Sequence, residues 1–449
     1  MSCSISNPSN GIYMTGEDFQ QFQDYIGNLL EGKYKKGTVL ARVITFVVTE
    51  RCDLRCTYCY EDHEVHACGK IMTIEIARQV IDMLFEKEKM ENYYDIEDYP
   101  AVILDMIGGE PFLNIEVVDF IVDYFKLKAF EMNHPWAYYH KISISTNGMH
   151  HFEPKVQAFL KKNAGNVSCS VSLDGYKELH DTCRLTPNGK GSYDIAEKAL
   201  KDTLITGSAN HTKFTLAPEN VQYAHKGVMN LISLGVQAIH VNTIYEEGWT
   251  TNDAKTIYEQ FKLIADEMVE KGLYKNYFVS FLGNELGGEA DNTVNYCGGN
   301  GAMLAFGPDG DAYPCLRYMK HSMTNNREPL KIGCAVEGLG NNPIYKGIID
   351  HLQGITLETQ SENKCLTCPI SQGCGLCSAH QYDKFGDANI RATYICEMHQ
   401  ARVMVAHYYI KKIYEKEGLE FNETLNIPKE WALNIISEKE YEILTQGGS

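Results

Sequence analysis

Six times between residues 42 and 272, a run of apolar, β-branched residues is followed by a longer segment of helical periodicity. The strand-like runs are 42–49 (RVITFVVT), 101–107, 141–146, 167–173, 212–217 and 236–243. The helical patterns are 72–88 (MTIEIARQVIDMLFEKE), 115–130, 152–162, 193–204, 220–233 and 252–271. A chain that returns through a helix after each strand lays its strands parallel. The alternation therefore restricts the fold to an α/β parallel sheet or a partial (β/α)6 TIM barrel.

Such folds build their sites at the C-terminal ends of the strands. Here a polar or glycine-rich motif follows every strand-like run. TERCDLRCTYCYED (49–62) follows the first, GGEP (108–111) the second and TNG (146–148) the third. SLDG (172–175), APEN (217–220) and YEEGW (245–249) follow the remaining three. Six motifs in register are expected to converge on one site.

Beyond about residue 273 the alternation stops. A Gly- and Cys-rich segment runs from 297 to 396, then a helix at about 401–417 and a short tail. The expected organisation is an N-terminal extension (1–41, with a helix at about 16–31), a barrel (42–272), a bridging and cysteine-rich domain (273–400) and a C-terminal helix with tail (401–449).

Of the 15 cysteines, three sit at 52–59 and eight between 297 and 396. The start, MSCSISNPSNGIY, lacks the basic and apolar regions of a secretory signal, and no apolar run approaches the roughly 20 residues that span a bilayer. The chain is thus expected to be cytoplasmic, without membrane contact, where thiols stay reduced and clustered cysteines point to metal. A net charge of −18 argues against nucleic acid, whose binding needs Lys and Arg on phosphates.

Cys52, Cys56 and Cys59 have the spacing C-x3-C-x2-C, which chance would produce about 0.02 times in such a chain. Three thiolates on a cubane cluster leave one iron without a protein ligand, so that iron can bind a small molecule. The alternative is a structural zinc site with a distant fourth ligand, for which His63, His66 and Cys68 are candidates. Those three are otherwise expected to form a polar loop over the site mouth.

C-x3-C-x2-C after the first strand of a six-unit barrel, followed by GGEP, resembles the radical SAM superfamily over residues 42–272. The resemblance implies that Cys52, Cys56 and Cys59 hold a 4Fe–4S cluster whose open iron is chelated by S-adenosylmethionine (SAM). Reductive cleavage of SAM then gives a 5′-deoxyadenosyl radical that abstracts hydrogen from the substrate.

It further implies SAM contacts at Gly108, Gly109, Glu110 (toward the ammonium), Tyr58 (adenine, through its backbone), Asn147, Asp174 and Leu216 (adenine). Ser172 and Arg184 would hold the ribose or methionyl group and the carboxylate. Arg suits the latter because its planar fork pairs both oxygens. The bland readings are a tight turn for GGEP, a helix cap for Ser172 and an Arg184–Asp181 pair.

C-x2-C-x5-C-x2-C at Cys365, Cys368, Cys374 and Cys377, with Cys297 and Gly310-x4-Cys315 upstream and Cys396 downstream, resembles the SPASM extension of that superfamily. One spacing departs from the family pattern: two residues, not three, precede Cys377. Carried over, Cys365, Cys368, Cys374 and Cys396 would ligate one auxiliary cluster. Cys297, Cys315 and Cys377 would hold another, with Cys334 or an open iron as its fourth position. The implied cofactors are SAM and three 4Fe–4S clusters.

The resemblance implies a maturase that modifies a ribosomally made precursor peptide, forming a thioether or carbon–carbon crosslink, as in the maturases of cysteine-rich or CXXX-repeat precursors. A flavodoxin- or ferredoxin-like reductant is implied. Forty-one residues are too few for a winged-helix leader-binding domain, so a separate leader-binding protein or another surface is expected. The alternatives are an anaerobic sulfatase maturase, whose proposed base is an Asp at the position of Leu316, and a non-enzymatic iron–sulfur electron carrier. Tyr245, Glu246 and Glu247, at the end of the sixth strand, are the candidate acid–base residues, with His150 and His151 as further candidates.

Overall fold

A computed structural model of the chain describes residues 41–445 apart from 92, 94–100, 284–288, 290, 292–296, 302 and 326. The helix expected at 16–31 lies outside the described residues.

The six strands form where the apolar runs predict them: β1 Ala41–Thr49, β2 Ala101–Gly108, β3 His140–Thr146, β4 Val167–Val171, β5 His211–Leu216 and β6 Ala238–Thr243. The intervening helices are α1 Ile74–Leu84, α2 Ile115–Glu131, α3 Pro154–Lys162, α4 Tyr193–Thr206, α5 Ala224–Ser233 and α6 Thr251–Glu270. Local signals set several starts. The Thr73 hydroxyl accepts from Ile76 N at α1, and Thr250 forms a reciprocal capping box with Asp253 at α6.

β1 through β4 pair in sequence, all parallel. β5 pairs parallel with β6, which pairs with the two-residue strand β7, Phe278–Val279. Among the described residues, no ladder joins β4 to β5. The seam is closed by Cys169 N to Ser208 O (3.0 Å) and Thr212 Oγ1 to Val171 O (2.6 Å). The result is a partial barrel that opens along one side.

The segment after 273 is less separate than its sequence implies. Its strand β8, Met303–Phe306, lies parallel against the free edge of β1. The short strands β9 Asp311–Tyr313, β10 Gly333–Cys334 and β11 Gly338–Leu339 continue from it antiparallel. β1 is thus central in an eight-stranded sheet, which explains its nearly unbroken apolar run.

Two cores result. One packs α1 and α2 against β1–β3. The other packs α4–α6 against β5 and β6 together with α9, Cys396–Glu417, which lies beyond α7 (Pro343–Gln353) and α8 (Ser378–Phe385). Among the described residues, no helix is long and apolar enough to cross a membrane.

Candidate active site

At the C-terminal ends of the strands, a cavity of about 500 Å³ is walled by Cys52, Cys56 and Cys59, Gly108–Glu110, Thr146–Asn147, Ser172, Arg184 and the 242–246 segment. Five of the six motifs therefore meet, as their register predicts. The sixth does not: in APEN, Asn220 turns back to accept from Ala217 N, and β5 reaches the cavity through Lys213 and Thr215 instead.

The cysteine loop is held by its backbone. Gly109 N donates to Thr49 O and Glu110 N to Arg51 O. A Cβ on Gly108 would stand 2.2 Å from Thr49 O, and one on Gly109 2.4 Å from Arg51 O. The paired glycines thus let the second loop pack on the cysteine loop itself, where the sequence suggested close approach to a ligand. On the other side, Arg55 and Cys56 form a small antiparallel ladder with Leu185 and Arg184, and Thr57 N donates to Cys183 O. Asn147 Nδ2 donates to Asp53 Oδ1 at 2.7 Å and approaches Cys52 Sγ at 3.9 Å.

Glu110 is fully buried, and its two oxygens accept from Thr146 Oγ1, Phe112 N and Asn147 N at 2.7–3.1 Å. Burial nevertheless pushes its pKa up to about 7. Asp174 is equally buried. It takes Arg184 Nε at 2.8 Å and the Tyr58 hydroxyl on one oxygen, and Thr215 N at 3.2 Å on the other. Arg184 therefore pairs with Asp174, and Asp181 accepts instead from Tyr193 N.

Leu216 does not wall the cavity. It is fully buried in the core with Phe214, because alternate residues of β5 face the helices while Lys213 and Thr215 face the lumen.

Tyr245 and Glu246 line the cavity, but Glu247 is exposed and bonds Lys384 at 2.6 Å. Glu246 Oε1 accepts from Arg317 Nη2 at 3.0 Å, and burial pushes the Tyr245 hydroxyl up to about 12. His150 and His151 lie outside the cavity wall, paired with Asp53 and Asp202. His66 does not sit in a loop over the mouth. It is buried, 3.1 Å from Glu61, and His321 approaches the other Glu61 oxygen at 3.7 Å.

The second cysteine set divides in two. Cys365, Cys368, Cys374 and Cys396 wall a separate cavity of about 260 Å³. Cys297 and Cys315 both flank Gly299, where a Cβ would stand 3.6 and 3.3 Å from their sulfurs. Cys377 joins them, since its charge and that of Cys297 add to the burial that pushes the Cys315 thiol up. Cys377 also opens onto the large cavity. Cys334 pairs with Asp311 across the edge ladder, beside Lys331.

Thiol spacing discriminates between a single ion and a cluster. A tetrahedral zinc with bonds of about 2.3 Å brings its sulfurs to within about 3.8 Å of one another. Among the described residues, the group of three ligand-type atoms that lies within 4.8 Å is Cys59, Glu61 and His66; none of the cysteine sets is that tight. The cysteines ring cavities instead, which suits a larger iron–sulfur core. Cys59, Glu61 and His66 are the described residues spaced closely enough to hold a lone divalent ion.

Residues 46–207 match the family model described as the Radical SAM superfamily. The chain is 23% identical over 343 residues to the antilisterial bacteriocin subtilosin biosynthesis protein AlbA of Bacillus subtilis (strain 168), covering 74% of this chain and 66% of that relative. Among solved structures, native anSMEcpe with bound AdoMet and Cp18Cys peptide superposes with a TM-score of 0.61 at 17% identity, over 84% of this chain and 98% of that one. Streptococcus suis SuiB bound to precursor peptide SuiA superposes with a TM-score of 0.50 at 15% identity, over 86% and 83%. At these identities the structures establish a shared fold.

Proposed function

We propose that this chain, whose residues 46–207 match the radical SAM superfamily model, is a maturase that modifies a ribosomally made peptide, forming a thioether or carbon–carbon crosslink. The observation that carries the reading is a shared wall: Cys377 of the distal cysteine set opens onto the same cavity as Cys52, Cys56 and Cys59. A substrate lying between them would meet the site of hydrogen abstraction on one side and an auxiliary cluster on the other.

When bound, SAM and the cluster on Cys52, Cys56 and Cys59 supply the 5′-deoxyadenosyl radical. The chain's own groups position and enclose. Asp174 orients Arg184, whose charge suits the SAM carboxylate. Tyr58, Gly108, Gly109, Asn147 and Ser172 form the wall around it. Glu110 acts through Asn147 and Thr146, because its oxygens are already occupied. Tyr245 and Glu246 face the substrate side. We assign three clusters in all, on Cys52/Cys56/Cys59, Cys297/Cys315/Cys377 and Cys365/Cys368/Cys374/Cys396.

The sulfatase-maturase reading shares the fold, and Leu316 counts against it. Where that family places its base, this side chain packs into an apolar cluster with Tyr318 and Met319. The reconstituted, reduced enzyme, given a cysteine-containing precursor peptide, separates the two. Loss of two hydrogens with sulfur retained supports the crosslink, and loss of sulfur from cysteine marks formylglycine.

A further inference from the structure

Arg317 is a charge at the cavity that the reading above leaves without a task. Only 17% of its side chain is exposed. The guanidinium lies 4.0 Å over the ring of Tyr60, the residue after Cys59, and Nη2 donates to Glu246 at 3.0 Å. Nε is buried and has no hydrogen-bond partner among the described residues. Arg317 shares the cavity wall with Cys377 and follows Cys315 by two residues, and its backbone N–H is directed at the Cys315 sulfur.

Charge placement is not neutral beside a cluster. Reduction adds an electron, so a nearby fixed cation stabilises the reduced form and a nearby anion disfavours it. The effect is large where water is excluded. A guanidinium keeps its charge at every working pH. Glu246, also approached by His380 Nδ1 at 4.0 Å, fixes one guanidinium nitrogen and partly offsets its charge.

We propose that Arg317 is a positioning residue for the auxiliary cluster of Cys297, Cys315 and Cys377: its fixed charge holds that cluster's reduction potential up, and Glu246 sets the place and net strength of that charge. The substrate would thereby face an auxiliary cluster tuned to accept an electron. The proposal rests on the assignment of those three cysteines as cluster ligands.

The test is a redox titration of the reconstituted full-length protein, followed by electron paramagnetic resonance. The cluster that responds to added SAM serves as internal control. In Arg317→Gln one SAM-insensitive signal is expected to move to lower potential by a tenfold change in its one-electron equilibrium, about 59 mV. Arg317→Lys, which keeps the charge, stays nearer the unaltered protein, and Glu246→Gln moves the same signal upward.

An unmoved signal in Arg317→Gln overturns the proposal. So does movement in the same direction by Arg317→Gln and Glu246→Gln, which would mark disturbed packing rather than charge. If Cys315→Ala removes no iron, the cluster assignment falls and the proposal with it, and the iron count separates that failure from the others.

Discussion

Arg184 donates from Nε to Asp174 at 2.8 Å in a site where Asp174 has no exposure to solvent. Removing one partner of such a pair strands the other charge in a low-dielectric site, at a cost of about 3–5 kcal/mol. Asp174→Ala is therefore expected to lower stability by about that amount and to abolish measurable SAM binding. Urea denaturation and equilibrium binding check the two effects separately. Unchanged SAM affinity would remove Arg184 from the cofactor wall.

The glycines of the second loop carry a sharper expectation. Gly109→Ala places a Cβ 2.4 Å from Arg51 O and 2.9 Å from the Cys52 Cβ, so the cysteine loop must shift. Iron content is expected to fall by about four per chain, one cubane's worth, with the distal sets still loaded. Full iron content with normal SAM cleavage would show that the loop can yield.

Glu110 gives the cluster-free protein a pH signature. Its folded pKa, about 7, lies above the ordinary value of 4.5 because burial disfavours the charge. A raised carboxyl contributes its stability below about pH 4.5 and loses it as pH rises through about 7. The loss approaches about 3 kcal/mol, from 1.36 kcal/mol per pKa unit. Denaturation of the cluster-free protein at pH 5 and pH 7.5, compared with Glu110→Gln, checks it. The substitution should flatten that interval, and an unaltered slope would assign the dependence to other groups.

At the substrate side, Glu246→Gln is expected to reduce peptide modification per SAM cleaved at least tenfold, a barrier change of about 1.4 kcal/mol, while SAM cleavage itself continues. Substituting the exposed Glu247, whose partner is Lys384, by Gln should change neither. Equal product ratios for both variants would exclude Glu246 from the chemistry.

Much of this arrangement is legible in the chain because it is local. The strands follow alternation or continuous apolar runs, and the cysteine loop, GGE, TNG and SLDG sit where strand ends must converge. The burial of Leu216, expected to contact adenine, is readable in the parity of its strand: in HTKFTL it shares a face with Phe214, and that face packs under the helices. Arg317 left no such signal. Its partners, Tyr60 and Glu246, lie 257 and 71 positions upstream, and only the addition of β8 to the edge of β1 brings them together. The Asp174–Arg184 pair was half visible, since the sequence offered Asp181 at closer spacing but not the direction in which the short helix Lys177–Cys183 points it.

The most direct measurement is anaerobic reconstitution with iron and sulfide counted per chain, followed by a SAM cleavage assay under reduction. The account predicts about twelve irons, three cubanes, and release of 5′-deoxyadenosine. Zinc in place of iron, bound through Cys59, Glu61 and His66, with no cleavage of SAM, would contradict it.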